Sequence, residues 1–127
     1  MPVVKDFQVT FDCADPDRVA RFWCEVLGYA AVEDERGTAY AAVDPNGVAP
    51  RLYFQPVPEG KTVKNRVHLC VRVGTGLVGE ERLAALEAEC ARLLPLGATR
   101  FRLLLADEEN ESCLVMQDVE GNEFCLD

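Results

Sequence analysis

The chain has 127 residues, 49% of them hydrophobic and 28% charged, which is enough for one folded domain or for two small modules sharing a core. Its formal net charge of −9 argues against nucleic acid as a partner, because neutralisation of phosphates by Lys and Arg supplies most of that affinity. The one basic cluster, Lys61, Lys64 and Arg66, is too small for a groove. No apolar run approaches the ~20 residues of a membrane span, and no leading apolar segment with a cleavage site is visible, so a cytoplasmic protein is expected.

Six cysteines stand at positions 13, 24, 70, 90, 113 and 125. Most lie inside apolar runs, where a reduced cysteine packs as a small hydrophobe. They are therefore expected to be thiols in a reducing compartment rather than a disulfide framework. No CxxC pair is present, which excludes a zinc knuckle on spacing.

Residues 7–13 alternate large apolar with polar side chains, the period of a half-buried strand. Asp15-Pro16-Asp17 then gives an acidic N-cap with proline at the first helical position. Val19, Phe22, Trp23, Val26 and Leu27 follow at the spacing of one helical face, and Gly28 supplies the stop. Strands are predicted near 29–34, 38–43 and 50–56, the last two separated by the turn Asp44-Pro45-Asn46-Gly47.

The same order then recurs. Val67 to Val73 alternates, and a Gly-rich break leads to a helix with Leu83, Leu86, Cys90, Leu93 and Leu94 on one face, ended by Pro95 and Gly97. Strands are predicted near 98–105, 112–117 and 122–126, and Asp118-Val119-Glu120-Gly121 repeats the earlier turn in kind and place. The chain thus reads β-α-β-β-β twice: module one over 5–56, a linker over 57–66, and module two over 67–127. The expected class is α+β, with each sheet covered by its helix on one face and the two bare faces enclosing a cleft, the natural place for a ligand.

Strand alternation assigns faces. Phe7, Val9, Phe11, Leu52 and Phe54 should pack on the first helix; Val67, Leu69, Val71, Val73, Phe124 and Leu126 should pack on the second. The other face then carries Gln8, Thr10, Asp12, Arg51, Tyr53, Gln55, His68, Cys70, Arg72, Glu123 and Cys125. Buried polar groups need partners or a ligand. The face is therefore either a binding surface, or one that is solvated or met by a partner subunit.

These motifs resemble the glyoxalase/bleomycin-resistance/extradiol-dioxygenase (vicinal oxygen chelate) superfamily across nearly the whole chain. The carriers are Asp15-Pro16-Asp17 through Phe22-Trp23 and Leu27-Gly28-Tyr29, then Arg66-Val67-His68-Leu69, then Asp118-Val119-Glu120-Gly121-Asn122-Glu123-Phe124. The stretch from Lys61 to Leu69 looks like a glyoxalase-like domain subgroup. The resemblance implies two βαβββ modules forming a curved mixed sheet around a cleft, and frequent homodimers. It also implies one metal ligand from each of four strands, which here fall on Gln8, Gln55, His68 and Cys125. Gln55 and Cys125 depart from the superfamily's glutamate. Mg²⁺ and Mn²⁺ prefer anionic oxygen, so the divalent ion best suited to such a set is zinc.

Besides a structural or regulatory partner domain, two function classes follow from that resemblance. One is an enzyme, a lyase, isomerase or relative acting on a small oxygenated molecule, with His68 and Arg72 as electrophilic groups and Glu123 or Asp12 as general base. The other is a metal-free small-molecule binding protein of the bleomycin-resistance type. Among the remaining readings, Asp12 and Arg72 either form an ion pair or stay solvated at a rim, and Arg72 is also suited to a substrate carboxylate. Cys70 or Cys125 beside His68 raises a Cys–His nucleophile, for which no orienting third group is evident.

Overall fold

The computed structural model describes residues 2–127. Over these described residues the protein is α+β, with two four-stranded sheets and two α-helices. In chain order they are β1 (Gln8–Cys13), α1 (Pro16–Leu27), β2 (Ala30–Glu33), β3 (Ala39–Val43), β4 (Arg51–Pro56), β5 (Cys70–Val71), α2 (Gly79–Leu93), a 3-10 turn (Leu94–Leu96), β6 (Thr99–Leu104), β7 (Cys113–Gln117) and β8 (Glu123–Leu126). The chain divides into two compact units, 1–60 and 61–127. No helix among the described residues is long and apolar enough to cross a membrane.

In the first unit the strand order is β1-β4-β3-β2, with β1 parallel to β4 and the remaining pairs antiparallel. Helix α1 starts where the sequence predicts. The Asp15 carboxylate accepts from the Arg18 amide at 3.2 Å, and Pro16 fills the first helical position, where a missing N–H costs nothing. The helix lays Val19, Phe22, Trp23 and Val26 on the sheet. The Phe11 ring lies 5.2 Å from Trp23 and 5.3 Å from Phe54, and both partners are fully buried. Leu52 and Phe54 are core residues, as alternation requires, whereas Phe7 precedes the ladder and is 67% exposed.

The second unit repeats the order as β5-β8-β7-β6, with β5 parallel to β8 and the rest antiparallel. Its turn at 118–121 copies that at 44–47. Asp44 accepts from the amides of Asn46, Val48 and Ala49, and Asp118 accepts from those of Glu120 and Asn122. Each turn closes on a glycine at positive φ (Gly47 at 70°, Gly121 at 85°), a backbone region that a side chain would strain.

Two expectations are corrected. Strand β5 is far shorter than the predicted 67–73. At its start the Asn65 side chain, rather than a strand amide, bonds the Glu123 backbone. At its end the Val73 and Gly74 amides both turn to the Asp127 carbonyl. The core face of α2 is Arg82, Leu86, Cys90 and Leu93; the 3-10 turn carries Leu94 off the stripe, and it is 43% exposed. Arg82, which the apolar pattern passes over, is buried and donates through Nε and Nη2 to the Ser112 carbonyl and through Nη1 to that of Gly74.

Candidate functional site

The parallel β5–β8 pair places Cys70 directly opposite Cys125. His68 precedes Cys70 by two residues, the spacing that returns a side chain to the same face in extended chain. One nitrogen of His68 and the sulfurs of Cys70 and Cys125 all lie within 4.8 Å of one another, with His68 and Cys70 exposed and Cys125 buried. Cys113 stands on β7, two residues before Val115, the partner of Cys125 across β7–β8, and lies outside that group of three. Burial above all, then the neighbouring Cys113 and Cys70 thiols, pushes the Cys125 thiol up to about 12. Without a bound cation Cys125 is therefore protonated at neutral pH and is no activated nucleophile.

Glu123, at the start of β8, is buried and held from several sides. Its carboxylate accepts from the Asn65 amide at 2.9 Å and from Lys61 Nζ at 3.0 Å, with Gln117 Nε2 at 3.5 Å. Burial alone would raise this carboxyl, but the Asn65 amide and Lys61 outweigh it and hold Glu123 below the usual carboxylate range. The residues that fix it belong to the stretch read from sequence as linker. Nothing in local periodicity marks Lys61 or Asn65 as partners of a residue 58 or more positions away.

Arg72 Nη1 donates to both oxygens of the Asp127 carboxylate at 2.9 Å. Its partner is thus the residue that closes the second unit, not Asp12. Asp12 is exposed on β1, opposite Gln55. The β1–β4 register pairs Gln8 with Arg51 and Asp12 with Gln55. Gln8 and Gln55 are therefore four strand positions apart, roughly 13 Å along the ladder. They are not neighbours, and the residue beside Gln8 is a cation. Gln8 spends its amide on Thr10 Oγ1 at 3.3 Å.

The second unit also has a concavity of about 960 Å³ whose walls include Arg72, Arg82, Arg102, Leu105, Cys113 and Asp127. A smaller one of about 400 Å³ is lined by Lys61, Lys64, Phe101, Gln117 and Glu123.

The family model described as glyoxalase-like domain matches residues 8–126. Comparison with curated proteins gives no match. Among solved structures, a glyoxalase/bleomycin resistance protein/dioxygenase family enzyme from Burkholderia phytofirmans is 16% identical, with 94% of each chain covered and a TM-score of 0.68. The fosfomycin resistance protein FosX from Mesorhizobium loti is 14% identical, with 98% of this chain and 92% of that one covered and a TM-score of 0.65. A mutant FosX from Listeria monocytogenes, complexed with Mn(II) and dihydroxypropylphosphonic acid, is 10% identical over 98% and 90% of the chains, with a TM-score of 0.69. At these identities the structural likeness establishes the fold alone. With the family model spanning all but the ends of the sequence, the chain belongs to the glyoxalase-like domain family.

Proposed function

We propose that this protein is a small-molecule enzyme of the glyoxalase superfamily, a lyase, isomerase or relative, working as a homodimer in the cytoplasm. The observation that carries the reading is the exposed His68 imidazole just before β5, beside Cys70 and Cys125, within a domain of this family. His68 is the group suited to moving a proton or polarising a substrate oxygen. Arg72, mostly exposed though paired with Asp127, is suited to a substrate anion. Asp12 is the candidate base, and Glu123, held ionised by Lys61, contributes fixed negative charge.

Of the four metal donors that the resemblance implies, Gln8 and Gln55 lie in the first unit, four register positions apart; His68 and Cys125 lie in the second. This set supplies no carboxylate for a hard divalent ion such as the Mn(II) of the Listeria FosX complex. Such an ion therefore has no part in the proposed chemistry. The same shortage favours a second reading, a metal-free binding protein that sequesters a small molecule.

The test is a panel of small oxygenated compounds, phosphonates and carboxylates included, assayed for turnover and for thermal stabilisation with the wild type and His68→Ala. Turnover lost in His68→Ala supports the enzyme. Stabilisation without turnover supports sequestration, and neither effect from any compound counts against both. Gel filtration with light scattering checks the dimer.

A further inference from the structure

We propose that His68, Cys70 and Cys125 form a binding site for one thiophilic cation, zinc(II) in particular, built wholly within residues 61–127. The inference is independent of the enzyme and sequestration readings, since it needs neither a substrate nor any residue of the first unit.

Parallel register sets Cys70 against Cys125, and the two-residue spacing returns His68 to the same face. Cys70 and Cys125 thus stand on adjacent hydrogen-bonded strands, and His68 on the segment that enters β5. Zinc bonds of about 2.0–2.3 Å put tetrahedral ligand atoms about 3.5–3.8 Å apart. The three donor atoms already lie within 4.8 Å of one another. Closing on an ion therefore needs side-chain rotation of about an ångström and no refolding.

The donor chemistry selects the ion. Two sulfurs and one imidazole are a Cys₂His set, which suits tetrahedral zinc with water in the fourth position and offers nothing to a hard, oxygen-seeking cation. On binding, the thiols transfer their protons to solvent as the sulfur–metal bonds form, and the imidazole coordinates in its neutral form. Glu123, the nearby carboxylate on β8, is engaged by Lys61 and Asn65 and stays outside the set.

The experiment uses the full chain, reduced and metal-free, titrated with cobalt(II) as a spectroscopic probe and then with zinc(II). One equivalent of cobalt should produce thiolate-to-cobalt charge-transfer absorption and tetrahedral visible bands, both abolished by zinc. Cys70→Ser and His68→Ala, at exposed positions where folding is not at stake, should each lower zinc affinity by at least about 10-fold, the scale of even indirect disturbances to a metal site. Cys125→Ser should do the same, with circular dichroism reporting whether the fold survives, and Cys24→Ser should bind as the wild type does. Absence of the charge-transfer band overturns the proposal. So does binding that survives Cys70→Ser but is lost in Gln8→Ala or Gln55→Ala, which would restore the four-strand set. A metal-free result leaves the small-molecule readings standing, and an inert substrate panel leaves the metal site standing.

Discussion

Asn65 and Glu123 hold each other through backbone and side chain at once. The Asn65 amide donates to the Glu123 carboxylate at 2.9 Å, and the Glu123 amide donates to the Asn65 side-chain oxygen at 2.7 Å. The Asn65 side-chain amide also reaches the Val67 carbonyl at 2.6 Å and that of Glu123 at 3.3 Å. Asn65 thereby stands in for a strand residue ahead of β5, which begins only at Cys70. Asn65→Ala keeps the backbone amide's bond to the carboxylate but removes the side-chain partner of the Glu123 amide and of two carbonyls, and should cost about 1–3 kcal/mol. Urea denaturation checks this; a change within about 0.5 kcal/mol, the range of ordinary surface substitutions, would show the clasp to be incidental.

The depressed Glu123 carboxyl makes stability depend on acid. A carboxyl that titrates lower in the folded than in the unfolded state binds fewer protons when folded. Its stabilisation is then complete above the unfolded value, near about 4.3, and disappears as pH falls through the lower folded value. Denaturation midpoints followed from neutral pH downward should drop through that window in the wild type. In Glu123→Gln the neutral-pH stability should be lower and this part of the acid slope missing. Parallel acid limbs would contradict the assignment.

Arg82 ties α2 to the loops ending at Gly74 and Ser112 through carbonyl acceptors. Arg82→Ala leaves two carbonyls short of donors and should destabilise by about 2–4 kcal/mol. Arg82→Lys should recover only part of this, because an ammonium cannot present the guanidinium's fork. A Cβ added at Gly74 would lie 3.1 Å from both Cγ and Nη1 of Arg82, an arm already fixed by its hydrogen bonds. Gly74→Ala should thus destabilise by about 1 kcal/mol. Thermal unfolding ranks the three, and a neutral Arg82→Ala would sink the assignment.

Thiol reactivity should follow exposure. Cys70 is exposed, whereas Cys13, Cys90 and Cys125 are buried, and burial also keeps the Cys125 thiol protonated. Alkylation of the native protein followed by peptide mass analysis should modify Cys70 first and Cys125 only after denaturation. Early labelling of Cys125 would mean that the β5–β8 face opens in solution.

In the first unit the aromatic contacts predict where stability concentrates. Phe54 is fully buried against Phe11, which also touches Trp23. Phe54→Ala should cost about 3–5 kcal/mol, while truncating the exposed Phe7 should cost under about 0.5 kcal/mol. Chemical denaturation of the two variants tests the difference.

The sequence by itself determined the doubled β-α-β-β-β order, the start of α1 at Asp15-Pro16, and the matched aspartate–glycine turns. Each of these is set by residues within a few positions of one another. Alternation likewise put His68, Cys70 and Cys125 on one face, and their donor atoms lie within 4.8 Å of one another. Register was not legible, because the alignment of one strand along its neighbour depends on turn geometry and packing over the whole sheet. Only the tertiary structure therefore put Arg51 rather than Gln55 beside Gln8, and Cys70 opposite Cys125. The long-range partners were hidden for the same reason. Lys61 and Asn65 read as linker until Glu123 lay next to them, and Arg82 read as a polar interruption until the Ser112 and Gly74 carbonyls closed around it.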